Sequence, residues 1–255
     1  MKILAIDCET SPNLAHVWGL FKQNVGINQL VATTEMLCFG AQWIEIKDGK
    51  VHRGEYVFAA QWETGGRKGM VRKLWKLLDE ADAVMGWNNS TFDNKHFTRE
   101  FFEMGLPPHR PYLSIDLMFK VKSLVRLPSY KLDFVLQWLN IGKKVETGGF
   151  SLWSGVMKGE KWAQDKMEEY QRGDVEDVLV AVLERILPWI DLPANVNLYT
   201  DGYDVDSRPL CKNCGGKTKW DGWRMTASSR FRQYKCKSCG KYGRHRLRAA
   251  GASAH

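Results

Sequence analysis

The chain opens MKILAIDCET, where four consecutive apolar residues, Ile3 to Ile6, run directly into two carboxylates, Asp7 and Glu9. A short apolar run of this kind reads as a buried strand. Strand alternation then puts Asp7 and Glu9 on one face and Cys8 on the other. Two carboxylates on one face repel, and desolvation makes each worse. A divalent cation removes both problems, and hard oxygen donors in this number suit Mg2+ or Mn2+. The blander alternative is that the two acids mark the solvated end of the strand. Whatever fold the chain adopts must therefore seat this strand in a sheet and leave its acidic end at a cleft.

The rest of the first 190 residues supplies material for such a sheet. Aromatic and β-branched runs at 16–21, 37–46 and 51–58 read as strands, the last two joined as a hairpin by the KDGK turn at 47–50. Helical periodicity covers 67–82, where Met70, Val71, Leu74, Leu77 and Leu78 share a face. AVMGW at 83–87 is a short strand, and 93–105 is a helix stopped by Gly105 and Pro107. A further helix spans 129–140, capped by Ser129 and ended near Gly142. Residues 145–160 are glycine-rich and aperiodic, which predicts a loop. From 161 to 187 the pattern is helical, bent at Gly173, with Val175, Val178, Leu179, Val182, Leu183 and Ile186 forming a core-facing stripe. An antiparallel meander followed by helix–strand–helix units predicts an α/β domain with a mixed central sheet flanked by helices.

Charge divides the chain in two. Residues 1–200 carry 24 Lys/Arg against 25 Asp/Glu, whereas 201–255 carry 13 against 4, so the whole excess of the +8 net charge sits in the tail. Such asymmetry predicts a polyanionic partner, nucleic acid first among them. The same tail holds two C-x-x-C-G knuckles, Cys211/Cys214 and Cys236/Cys239. Four thiolates at this spacing predict one structural Zn2+ in a four-cysteine zinc ribbon, with a hairpin between the knuckles. Trp220, Trp223, Phe231 and Tyr234 interleave with basic residues there. They serve either as the ribbon's own small core or as platforms for bases. The run RHRLRA at 244–249 reads as a flexible phosphate-binding tail.

Two further acidic positions stand beside apolar elements. Asp93, in GWNNSTFD (86–93), opens a helix just after a strand, where an ordinary N-cap is the competing reading. Asn88 and Asn89 in the same stretch could simply form a turn. Tyr170 and Asp174, in YQRGD, are four apart and so share a helical face. Asp177 reads as a solvated helix acid, and His96 and His109 as structural or surface residues.

Taken in order, these elements resemble the DEDD superfamily of 3′–5′ exonucleases, of RNase H-like (DnaQ-like) fold. The first motif matches Asp7-Cys8-Glu9, the second GWNNSTFD with Asp93, and the third Tyr170-x(3)-Asp174. The tyrosine marks the DEDDy branch. The second motif most resembles the proofreading domain of family B DNA polymerases, and SYKLDFVLQWLN (129–140) resembles the helix between the second and third motifs. The resemblance implies a two-metal-ion phosphodiesterase. Asp7 would bridge two Mg2+ or Mn2+ ions, Glu9 and Asp174 would complete one site, and Asp93 would hold the second ion through water. Tyr170 would position the attacking water and help deprotonate it. Asn88 or Asn89, and Thr10, are expected at the substrate strand. Nucleoside 5′-monophosphates would be released from a 3′ end, of DNA ahead of RNA.

The expected organisation is a nuclease domain at 1–190, a linker at 191–209 rich in Pro, Asp and Asn, and a ribbon at 210–255. No apolar run approaches the roughly 18 residues of a membrane helix, and the first one ends too early for a signal peptide. A cytoplasmic, free-standing phage-like enzyme or subunit is expected, with replication or recombination proteins as candidate partners. Two other classes remain open: a resolvase-like endonuclease, and an idle RNase H-like domain that binds nucleic acid as an adaptor.

Overall fold

Strand β1 (Ile3–Thr10) is apolar on both faces, which places it at the centre of a sheet with helices on either side. The computed structural model, which describes residues 2–47, 49–142, 147–190, 192, 208–226 and 229–248 (246–248 as backbone), puts it there. Its neighbours are β4 (Met36–Lys47), antiparallel, and β6 (Ala83–Gly86), parallel. With β5 (Lys50–Ala60) and β7 (Leu113–Asp116) at the edges, the order is β5-β4-β1-β6-β7. This is the mixed, helix-flanked sheet expected from the sequence.

The two faces of β1 separate two cores. Leu4, Ile6 and Cys8 pack with α1 (Gly66–Glu80) and α2 (Asp93–Glu103). Ile3 and Ala5 pack with α3 (Leu117–Leu124), α4 (Leu132–Leu139) and the long C-terminal helix. That helix runs as α6 (Lys161–Arg172), a π-helical segment (Gly173–Leu179) and α7 (Val180–Ile186). Its stripe from Val175 to Ile186 is buried as the periodicity requires. The bend expected at Gly173 is the point where the helix widens from α to π geometry, a change that often accompanies a functional position. Asp7 and Glu9 share the Ile3/Ala5 face, so they look towards this helix.

Several expectations need correction. Residues 16–21 form no strand. A small ribbon of β2 (Leu14–Ala15) and β3 (Leu30–Ala32) takes their place, and Trp18 is 100% exposed. High strand propensity yields a strand only where a neighbour supplies ladder partners. The loop expected at 145–160 contains α5 (Phe150–Met157), in which Leu152 and Val156 are buried against α6. Its Gly155 is a packing residue, since a Cβ there would lie 2.6 Å from the Ala163 Cβ. Helix α4 begins after Lys131 and not at Ser129. Strand β7 and helix α3 had no counterpart in the sequence reading.

The tail folds as an antiparallel sheet of β8 (Thr218–Met225), β9 (Arg230–Cys236) and β10 (Tyr242–Arg248), ordered β10-β9-β8. The basic run 244–249, expected to be flexible, is β-strand as far as Arg248, because β9 offers it a partner edge. The expected linker lies largely outside the described residues. Ile46, near the tip of the β4–β5 hairpin, packs against the four tail cysteines. No described helix is long and apolar enough to cross a membrane.

Candidate active site and metal centres

Asp7 pairs with Gly40 across the β1–β4 ladder. A Cβ on Gly40 would sit 2.6 Å from the Tyr56 hydroxyl and 2.8 Å from Cγ of Gln171. Glycine therefore lets the C-terminal helix lie directly on the sheet opposite Asp7. Gln171, fully buried, uses that proximity: its Nε2 donates to the Asp7 carbonyl at 2.7 Å and to Asp7 Oδ2 at 3.0 Å. One side chain thus holds both the backbone and the carboxylate of Asp7.

The helix delivers Asp174 to the same place. Carboxylate oxygens of Asp7, Glu9 and Asp174 all lie within 4.8 Å of one another. Octahedral ligands at about 2.1 Å stand at most about 4.2 Å apart, so the three oxygens would need to draw in by no more than about 0.6 Å to share one hard cation. Asp7 and Glu9 are half-buried, while Asp174 is buried. The β1 register shifts between Glu9 and Thr10, a bulge directly after the acids, with Thr10 half-buried and paired with Met36.

Tyr170 is buried one helical turn before Asp174, edge-on to Trp153 with ring centroids 6.1 Å apart. Its hydroxyl is coupled electrostatically to the Asp174 carboxylate. Burial, then the charges of Asp174, Glu9 and Asp7, push its pKa well above the ordinary tyrosine value. The phenol thus sits in the field of all three acids.

Asp93 stands apart from this trio, on the other side of the β1 end. Its Oδ1 accepts from the Cys8 backbone N at 3.1 Å and from Cys8 Sγ at 3.3 Å. Burial pushes its pKa up to about 6, with Asp116 adding and the Cys8 hydrogen bonds opposing. Cys8, buried beneath, is itself pushed up by burial and then by Asp93 and Asp7. The 86–93 turn is organised by Asp116, whose carboxylate accepts from the N–H groups of Asn88 (3.0 Å) and Ser90 (3.2 Å) and the Ser90 hydroxyl (2.6 Å) while capping α3. Asn88 adopts a left-handed conformation (φ 61°), and its side chain accepts from Thr91. Asn89 is fully buried, and neither polar atom of its side chain has a hydrogen-bond partner among the described residues. Asp177 is exposed, as expected. His96 packs on Phe92 and His109 stacks on Tyr112.

Gln171, Gly40 and Asp116 escaped the sequence reading. Asp116 had a usable signal, an Asp directly before the apolar run LMFKV. Gln171 and Gly40 had none, because each acts on a partner distant in sequence.

In the tail, Cys211, Cys214, Cys236 and Cys239 are buried together. Sγ–Sγ separations of 3.6 Å for Cys211/Cys239 and Cys214/Cys236 rule out disulfides, whose sulfurs bond at about 2.05 Å. They match the separation of about 3.8 Å across a tetrahedral ion with metal–sulfur bonds of about 2.3 Å, the geometry zinc takes. The N–H groups of Ser238 and Cys239 point at Cys236 Sγ, each at 3.4 Å, as suits a thiolate acceptor.

No family model matches the sequence. No curated protein matches it either. Among solved structures, the chain is similar to the family B DNA polymerase of the hyperthermophilic archaeon Pyrobaculum calidifontis, with a TM-score of 0.50 and 15% sequence identity. The match covers 73% of this chain and 24% of the polymerase, so it spans about a quarter of that enzyme. At this identity the likeness establishes the fold: an α/β domain of the kind built into that polymerase.

Proposed function

We propose that the chain is a metal-dependent 3′–5′ exonuclease of the DEDDy type, acting on DNA ahead of RNA. The observation that carries this reading is the convergence of carboxylate oxygens of Asp7, Glu9 and Asp174 within 4.8 Å of one another, with Tyr170 one helical turn before Asp174 and in the field of all three. Asp7, Glu9 and Asp174 would hold one Mg2+ or Mn2+, and Asp7 with Asp93, through water, a second. Bound there, such a pair of ions supplies an activated water and neutralises charge on the phosphodiester being cut. Gln171 fixes the Asp7 carboxylate. Tyr170 would position the attacking water and assist its deprotonation. Thr10 and the 88–89 turn would contact the terminal nucleotide. Of the two asparagines, Asn88 is the better candidate for a substrate contact, since it is part-exposed while Asn89 is fully buried. The four cysteines would hold one Zn2+, with a nuclease domain at 1–190 and a ribbon at 210–255 joined by 191–209.

The test uses 5′-labelled single-stranded DNA and RNA with Mg2+ or Mn2+, beside an Asp7→Ala variant. A ladder of shortening products that the variant does not make is the expected result. Binding without cleavage in either metal refutes the reading, and a single internal cut replaces it with an endonuclease. Asp7→Ala should fold normally, because β1 is held by its apolar residues.

A further inference from the structure

The ribbon sheet carries a surface that the acidic site does not explain. Between 208 and 248 the sequence has 13 Lys/Arg and a single acid, Asp221. Its aromatics divide by burial. Tyr234 is 1% exposed and is the ribbon's core, with Gly243 lying flat against its ring where no Cβ fits. Trp223 is 47% exposed, and Trp220 lies half-buried on the sheet.

On the β8–β9 face these indoles alternate with arginines. Trp223 pairs with Arg232 across the ladder. The Arg232 guanidinium stacks on Trp220 at 4.4 Å, and that of Arg230 on Trp223 at 4.0 Å. The result is a zigzag of Trp220, Arg232, Trp223 and Arg230. Stacking holds each guanidinium flat and extended, with its in-plane donors turned outward for a phosphate. Flat aromatic faces spaced between fixed cations suit a strand that offers unpaired bases and phosphates together. A duplex hides its bases and can use only the charge.

We propose that this face binds single-stranded nucleic acid, phosphates on Arg230 and Arg232 and a base on Trp223. The site is separate from the acids. From Gly40, opposite Asp7, to Ile46, against the cysteines, β4 runs six residues, roughly 20 Å at about 3.3 Å each. The claim does not rest on the nuclease reading, because binding needs no bond to be cut.

The experiment measures binding of the full chain to fluorescein-labelled oligo-dT and oligo-U by anisotropy, with no divalent cation added and over a range of NaCl. Oligomers of about 20 nucleotides exceed the roughly 4–16 covered by a small single-strand-binding fold. Trp223→Ala should weaken binding about 10-fold. Arg230→Gln with Arg232→Gln should reduce the slope of log K against log salt by about 1.4, at roughly 0.7 per phosphate contact. Zinc content is measured on every variant. Should an alanine variant lose its zinc, Trp223→Phe keeps an aromatic face and must bind within about 2-fold of the parent. Tight binding to either oligomer with these losses supports the proposal. Unchanged affinity and slope in the variants, preference for duplex over single strand, or loss of binding in Trp223→Phe overturns it.

Discussion

Gln171 shows how one side chain can couple two distant segments. It sits 164 residues from Asp7 yet donates to both its carbonyl and its carboxylate. Gln171→Met preserves bulk and removes both donors, so cleavage should fall about 10- to 100-fold, as for other residues that orient metal ligands, while the chain stays folded by circular dichroism. Gly40 makes the contact possible. Gly40→Ala drives a methyl into Tyr56 and Gln171 and should cost about 1–3 kcal/mol in urea unfolding. Tyr56→Phe should be neutral or stabilising by up to about 1 kcal/mol in the same measurement, because the hydroxyl it removes is buried without a hydrogen bond among the described residues. The clustering of Asp7 with Glu9 and of the four cysteines was legible in the sequence because each belongs to a short motif of fixed spacing. Gln171 and Gly40 were invisible, since nothing local marks a residue whose partner arrives by tertiary folding.

Elements with strong internal periodicity were read correctly, and those defined by neighbours were not. Helices α1 and α2 carry apolar stripes that announce them. Helix α5 was hidden by its glycines, and Gly155 exists there for close packing on α6. Helix α2 is tied in place by Glu100. Its buried carboxylate accepts from the Met36 N–H at 3.0 Å and from Arg67 Nε at 2.9 Å. Glu100→Ala leaves the buried Met36 N–H without its acceptor and removes one of the three carboxylates around Arg67, so it should destabilise by about 1–3 kcal/mol in denaturant unfolding. The run 16–21 failed in the opposite sense. Its composition suits a strand, but no sheet edge is available to it.

At the scale of the whole molecule, the sheet and the ribbon draw on different sources of stability. The sheet buries two apolar cores around β1. Among the described residues the ribbon has one buried aromatic, Tyr234, and four cysteines, so a metal held by these thiols would be coupled to its folding. Chelation should thus unfold the ribbon and leave the sheet intact. Limited proteolysis would then cut after residue 208 and spare the first 190, and metal analysis beforehand should find one zinc per chain.

The sequence by itself determined the alternation of β1, the mixed α/β sheet, the motif acids and the four thiols, because these depend on local periodicity and spacing. Only the tertiary structure decided which acids meet. Asp7, Glu9 and Asp174 converge because β1 and the C-terminal helix pack face to face across Gly40. Asp93 is held apart from them, hydrogen-bonded to Cys8 on the other side of the strand end. The tertiary structure also decided that Tyr234 fills the ribbon while Trp220 and Trp223 line its surface, since burial is settled by which strand lies alongside and not by what a residue is.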